Sequence, residues 1–398
     1  MKVLFDSQVF DGQRIGGISR YFSILASELP KLGVQVSTGL LSTNNVYMRS
    51  RHPLSFVGFL RKKNKTYSRM LMRYSKYDVF HPTYYFTHVL RYKRPNAPLV
   101  VTVHDLIQEK CSLGIERCKE LDFVCAEKAK IVAAADRVIA ISENTKRDIM
   151  DVWGVDERKI DVVYHGPMWS PSLVPTPAVL PFSGDYILFV GNRKDKYKNF
   201  EEFIIAASQV VKRYGLQIVC TGESFSPSEA EFLKKYGVDQ ITHTLFVNES
   251  TLLWLYQNAC CFVFPSYYEG FGIPILEAFQ AECPTILANA SCFPEIGGNA
   301  VEYYEPGNAD ALLEKLTKLL DDSDYCNKLR ALGLQSEEGG RFYHEQNRNM
   351  LIVADDNFPT ELPATYQWLT LGQINDFLRY NNYLNIQARS LIAAIKYI

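Results

Sequence analysis

One alternation, run through twice, constrains this chain more than any other feature. Short apolar runs alternate with amphipathic helical stretches from Lys2 to Tyr164, and the pattern restarts at Tyr186 and continues to about Leu334. In the first series Lys2–Phe5, Val34–Val36, Asp78–His81, Leu99–His104, Arg137–Ile141 and Ile160–Tyr164 read as strands. In the second series the strands are Tyr186–Gly191, Leu216–Cys220, Ile241–Val247, Cys260–Phe264, Pro284–Ala288 and Val301–Tyr304. Runs that are apolar nearly throughout fit parallel strands buried on both faces. Between them, Ile18, Phe22, Leu25 and Leu29 recur at helical spacing over 18–30, and similar stretches follow at 117–135, 200–213, 226–236, 249–258, 309–321 and 324–334. Strand–helix–strand alternation predicts an α/β fold of parallel sheets with right-handed crossovers. Pro167, Pro171, Pro175, Pro177 and Pro181 punctuate the gap between the series. The expectation is two doubly wound domains, 1–166 and 185–335, joined by a linker at 167–184. Their strand carboxyl ends would face a shared cleft, and a tail would follow at 336–398. At 398 residues the chain can bury two cores.

Composition narrows the function classes. A net charge of −1 provides no field that would attract nucleic acid. No apolar run approaches the roughly 20 residues of a membrane-crossing helix. The nine cysteines contain no C-x-x-C pair and sit in apolar strands or at helical spacing, which fits reduced thiols and the cytoplasm. The start of the chain reads as a strand, not as a signal peptide. Residues 49–77 differ from the rest. They carry Arg49, Arg51, Arg61, Lys62, Lys63, Lys65, Arg69, Arg73 and Lys76, not one Asp or Glu, and interleaved Phe56, Phe59, Leu60, Met70 and Met72. Such a segment suits either an anionic membrane surface or an ordinary solvated face.

The chemistry concentrates in loops at strand carboxyl ends, where open α/β sheets bind ligands. Tyr268-Glu269-Gly270-Phe271-Gly272-Ile273-Pro274-Ile275-Leu276-Glu277-Ala278 follows a strand and opens a helix. Pro274 suits a first helical turn, and Gly270 and Gly272 permit close backbone approach. Helix-mouth N–H groups attract phosphate, whereas Glu269 and Glu277 repel it and suit hydroxyl groups. A sugar nucleotide supplies both kinds of partner. A helix whose acidic first turn merely complements its dipole is the plainer reading of the same stretch. Gly16-Gly17 between a strand and a helix is a second candidate phosphate turn, and Asn192–Asn199 forms a basic loop. His104-Asp105 ends a strand, so His104 is either structural or part of a site. Asp322-Ser323-Asp324 lies at a helix end, far along the chain from these loops, and reads as a solvated turn, so the sequence suggests no metal site.

Together these residues resemble the GT-B glycosyltransferases of family 4. The likeness rests on Gly16-Gly17, His104-Asp105-Leu106, Ile141–Lys146, His165-Gly166-Pro167, Gly191-Asn192-Arg193 with Lys198-Asn199, Glu269 with Glu277, and Cys292–Ala300, in this order. The resemblance implies transfer of a hexose-type sugar from a nucleotide-sugar donor, with retention at the anomeric carbon and with neither metal nor cofactor. The acceptor would be a glycan or a lipid-linked chain of a surface polysaccharide, and the protein would work in the cytoplasm, with 49–77 a candidate for contact with the inner face of the membrane. By resemblance, Arg193 and Lys198 hold the diphosphate, aided by backbone N–H groups around Gly16, Gly17, Phe271 and Gly272. Glu277 takes the ribose, with Gly222 and Val247 near the base, although Val247 fits a core equally well. Glu269 takes sugar hydroxyls, and His104 lies near the reacting centre. Lys194 and Lys196 read as solvated, and Glu295 as a stabiliser of its own loop. A nucleotide-sugar epimerase of the same fold and an inactive binding protein are the competing classes.

The tail departs from that family. Ser336–Arg348, Tyr366–Gln373 and Asn385–Leu391 resemble the carboxyl end of NDP-hexose 2,3-dehydratases. The likeness covers only about 60 residues, far short of a whole dehydratase, so no dehydratase activity is expected. Leu384, Ala388, Leu391, Ile392 and Ile395 form an apolar stripe that could replace the closing helix usual in the glycosyltransferase family.

Overall fold

A computed structural model describes residues 1–49, 58–110, 118–166, 169 and 172–335. They form two compact units: 1–109 with 118–166, and 172–335 with Lys110 and Trp169. The tail expected at 336–398 lies outside the described residues.

The first unit contains strands β1 (Lys2–Phe5), β2 (Gln35–Thr38), β3 (Val79–His81), β4 (Val100–Val103), β5 (Arg137–Ala140) and β6 (Ile160–Val162). They form two parallel sets, β2-β1-β3 and β4-β5-β6, linked by a parallel bridge between Phe80 and Leu99. Side chains alternate along β1 and serve two cores. Val3 and Phe5 pack with Phe22 and Leu25 on one face, and Leu4 packs with Phe80 and Val101 on the other. Burial on both faces explains why β1 is apolar from Val3 to Phe5. The chain leaves β1 on one side for β2 and on the other for β3, so the winding reverses between β1 and β3.

The second unit has a six-stranded parallel sheet. Its strands are β7 (Tyr186–Phe189), β8 (Gln217–Thr221), β9 (Thr242–Leu245), β10 (Cys261–Phe264), β11 (Thr285–Ala288) and β12 (Glu302–Tyr304). Their order is β12-β11-β10-β7-β8-β9, so the winding reverses between β7 and β10. Helix Phe200–Tyr214 packs on helix Ala309–Asp321 through residues such as Phe203, Ala207, Leu312 and Leu316. Local chemistry fixes the helix starts. Asn248 accepts the Thr251 N–H at 2.9 Å, and Ser226 with Glu229 closes a capping box. In the first unit Ser142 accepts the Thr145 N–H at 3.0 Å.

The strands follow the expected order with ends shifted by a residue or two, while short helices Gln8–Gly12 and Phe293–Gly297 form in segments that read as loops. Within the segment expected as a linker, residues 172–183 run along the second unit. Leu173, Leu180 and Phe182 pack against its core, and the Thr176 N–H donates to the Ser250 carbonyl at 3.1 Å. Its proline spacing reflects an extended path over a surface. Phe262 is fully buried at the centre of this sheet, its ring 5.2 Å from Tyr256 and 5.6 Å from Phe264. Truncating Phe262→Ala should destabilise the second unit by about 3–5 kcal/mol in urea unfolding, and a cost under about 1 kcal/mol would contradict the packing.

Candidate active site

In the second unit the winding reversal brings together the loop after β7 and the loop after β10, the position where doubly wound sheets bind ligands. Lys198 and Glu269 meet there. Lys198 Nζ donates to Glu269 Oε1 at 2.5 Å, and the two side chains are only 14% and 13% exposed. The backbones on either side are held independently. The Tyr267 N–H donates to the Tyr197 carbonyl at 2.8 Å. Ser291 Oγ accepts the Glu269 N–H at 3.0 Å, and the Ser291 hydroxyl and Cys292 thiol both donate to the Glu269 carbonyl at 3.2 Å. The ammonium also lies over the rings of Tyr197 and Phe264, at 5.2 and 5.3 Å. A cation and a carboxylate are therefore fixed side by side at the reversal point.

Just beyond them, Gly272 precedes helix Ile273–Gln280 with φ +88°. A Cβ there would stand 2.9 Å from Ile275 Cδ1 and 3.1 Å from the Phe293 ring, so only glycine fits. Phe271, beside it, is buried. Glu277 is buried in the same helix next to Tyr256. Burial first, and then the Glu277 carboxylate, push the Tyr256 phenol well above its ordinary value.

Arg193 is placed differently from Lys198. Its Nε donates to Glu229 Oε1 at 2.9 Å, its Nη1 to the Thr221 carbonyl at 3.1 Å, and its Nη2 to the Glu223 carbonyl. The guanidinium lies 4.8 Å from the Phe225 ring and ties the loop after β7 to the loop after β8. Burial raises the Glu229 pKa, but hydrogen bonds from Ser226 and the Arg193 charge outweigh it and hold the carboxyl below its usual range. Gly222, at φ +114°, is adjacent, and a Cβ on it would stand 3.6 Å from Arg193 Nη1. Val247 packs partly buried against the core, just past the end of β9. Lys194 and Lys196 are exposed, as expected.

In the first unit, helix Gly17–Glu28 starts at the glycine pair. Gly17 has open space where a Cβ would stand, while Gly16 faces the Gln13 amide. His104 follows β4. The structure adds His81, at the end of β3, and His165, after β6. The His104 and His165 rings stack at 6.2 Å, with Tyr21 edge-on to each at 5.1 and 5.3 Å. His81 Nε2 and the Tyr21 hydroxyl lie 2.9 and 3.3 Å from Thr102 Oγ1. Burial pushes all three histidines down to about 3, helped at His104 by His81 and Lys128. They are neutral at pH 7, and His104 Nε2 is buried with no partner among the described residues. Buried Lys128 donates to the Asp105 carbonyl at 2.9 Å and to Glu109 at 3.1 Å, and the Tyr85 hydroxyl accepts the His104 N–H at 3.1 Å. These contacts fix the His104–Asp105 loop. Sequence reading gave a site role to His104 and quoted His165 only within the His165-Gly166-Pro167 motif. The positions of His81 and His165 at strand ends were a usable signal, whereas Lys128 in mid-helix gave none.

Within 49–77, residues 50–57 lie outside the described residues. In helices Gly58–Arg61 and Asn64–Tyr74 and the turns beside them, Arg61, Lys62, Lys63, Lys65, Arg73 and Lys76 are exposed together with Phe59, Met70 and Tyr74. Among the described residues no helix is long and apolar enough to cross a membrane.

The histidines set a pH dependence. Their folded pKa of about 3 lies below the ordinary 6.5, so between those values the unfolded chain binds more protons. Stability of the first unit should fall as pH drops from about 6.5 towards 3. Urea midpoints at pH 7 and pH 5, followed by near-ultraviolet circular dichroism, test this. An unchanged midpoint would show that the histidines are not buried as neutral groups.

Comparison with known proteins bears on the family and the fold. Residues 15–166 match the family model described as Glycosyltransferase Family 4, residues 178–335 match Glycosyl transferases group 1, and residues 305–395 match NDP-hexose 2,3-dehydratase. The dehydratase match thus begins upstream of 336, inside the second unit. A serotype-specific mannosyltransferase, WbdA of Escherichia coli, is 24% identical over 223 residues, which is 50% of this chain and 26% of the relative. The chain therefore spans about a quarter of that relative's length. A dTDP-4-dehydro-6-deoxy-alpha-D-glucopyranose 2,3-dehydratase of Saccharopolyspora spinosa is 46% identical over 67 residues, 17% of this chain and 14% of the relative. Among solved structures, HepE of Anabaena in complex with UDP and glucose aligns with a TM-score of 0.65 at 16% identity, covering 88% of this chain and 98% of its own. That likeness shows the fold. With 15–166 and 178–335 matched, the chain belongs to the GT-B glycosyltransferases of family 4, and its residues 305–395 are similar to NDP-hexose 2,3-dehydratases.

Proposed function

We propose that the protein transfers a hexose-type sugar from a nucleotide-sugar donor to a glycan or lipid-linked acceptor, with retention at the anomeric carbon, in surface-polysaccharide synthesis. The observation that carries this reading is the Lys198–Glu269 pair at the reversal of the second sheet. A donor diphosphate would take the ammonium, and the released Glu269 would accept sugar hydroxyls. The leaving diphosphate gains charge as the glycosidic bond breaks, and a cation already in place stabilises that charge without reorganisation. Backbone N–H groups at Phe271 and Gly272 add to the cradle. Glu277 takes the ribose, with Gly222 and Val247 beside the base. A guanidinium carries five N–H donors, so Arg193, with three engaged by protein acceptors, retains capacity for the same phosphates. In the first unit, Gly16 and Gly17 offer N–H groups to phosphate, and neutral His104 offers a partner for a substrate hydroxyl. WbdA and the UDP-bound HepE support the donor class, since the one is a mannosyltransferase and the other holds a nucleoside diphosphate.

The acceptor reading rests on the first unit. Exposed cations interleaved with Phe59, Met70 and Tyr74 suit the anionic inner face of a membrane, where a lipid-linked acceptor would be met. The reading therefore puts the protein in the cytoplasm, working at that face.

Lys198→Ala and Glu277→Ala should each lower kcat/KM for transfer by about 100-fold or more, with circular dichroism unchanged. Transfer at the wild-type rate would overturn these roles. Conversion of the donor sugar without any acceptor would assign the site to an epimerase instead.

A further inference from the structure

A buried carboxylate behind the Lys198–Glu269 pair belongs to none of the roles above. Glu202 lies in the first turn of helix Phe200–Tyr214 and is 7% exposed. One of its oxygens, Oε2, accepts from three separate segments: Asn199 Nδ2 at 2.9 Å, the Gly307 N–H at 2.8 Å and the Tyr267 hydroxyl at 3.4 Å. Asn199 adjoins Lys198 and is held in the left-handed region at φ +54°. Tyr267 lies two residues before Glu269, and Gly307 follows β12. Loops after β7, β10 and β12 thus converge on a single oxygen. The other oxygen, Oε1, is buried and accepts none of these three donors. The Tyr304 hydroxyl is buried beside it; burial, and then the Glu202 charge, push its pKa far up.

We propose that Glu202 is a positioning residue that sets the Lys198–Glu269 geometry for the donor by holding three loop ends on one acceptor oxygen. The proposal rests on the donor reading of that pair, but it makes a claim of its own about the loops. It also distinguishes acceptor geometry from charge. A glutamine amide keeps one acceptor oxygen for Asn199, Tyr267 and Gly307, and its NH2 would take the place of Oε1 beside the Tyr304 hydroxyl, which can accept as well as donate. Alanine removes the acceptor and leaves the Gly307 N–H without it.

The test compares Glu202→Gln and Glu202→Ala in the full chain by hydrogen exchange with mass spectrometry, without ligand. In Glu202→Ala, peptides carrying 197–199, 267–269 and 305–308 should exchange at least about 10-fold faster, while the interior of helix 204–214 keeps its wild-type rate. In Glu202→Gln all of these should stay within about threefold of wild type. Unchanged loops in Glu202→Ala, or equal acceleration throughout the unit, would overturn the proposal. So would loosening in Glu202→Gln to the same degree as in Glu202→Ala. Calorimetric titration with UDP and with GDP adds the functional readout. Whichever binds the wild type should bind Glu202→Ala at least about 10-fold more weakly and Glu202→Gln nearly as well, and equal affinity for Glu202→Ala would overturn the positioning role. Binding of neither nucleotide to the wild type, or binding that survives Lys198→Ala, would count against the donor reading alone, and the loop exchange would still decide the role of Glu202.

Discussion

The salt bridge between Lys198 and Glu269 is the interaction on which the proposed function of the second unit depends. Removing two charges from water costs several kcal/mol per ion, and a close contact alone seldom returns a net gain. A pair this sheltered is therefore weak evidence of stability, and its placement carries more information. It sits where the sheet reverses its winding, it joins residues 71 apart in sequence, and its backbones are pinned by Tyr197, Tyr267, Ser291 and Cys292. The arrangement resolves the electrostatic difficulty of acids at a phosphate seat. Each charge neutralises the other in the pair, and under the proposed function a nucleotide sugar would give the two separate partners.

The first unit uses the opposite strategy. His81, His104 and His165 are gathered by strand ends into a buried aromatic setting that keeps them uncharged. A neutral imidazole can donate or accept a hydrogen bond according to its tautomer, which suits a hydroxyl substrate better than a fixed cation would. Buried Lys128, held by Asp105 and Glu109, fixes the loop and adds to the bias against protonation of His104.

Much of the fold was legible because the sheets are buried on both faces. A strand such as Cys261–Phe264, with no exposed position, leaves no room for polar residues and announces itself. Ends were less legible. β9 stops at Leu245 because Phe246 turns outward, 79% exposed, before Asn248 caps the next helix. Within the site, glycines beside an acid and a basic loop after a strand marked Glu269, Gly272 and Lys198. Their contact, and the binding of Arg193 by Glu229 and two carbonyls, could not be read, because pairing across a sheet depends on register and not on local pattern. His81 was passed over, and His165 was quoted in a motif but given no role, because a buried structural histidine and a functional one look alike in sequence.

The central claim is that the Lys198–Glu269 pair is the seat of a nucleotide sugar. Saturation-transfer NMR on the full chain with UDP-, GDP- and dTDP-sugars measures this most directly. The account predicts that one of the three shows saturation of both base and sugar protons, and that Lys198→Ala abolishes the signal. Saturation from none of them, or an undiminished signal in Lys198→Ala, would contradict it.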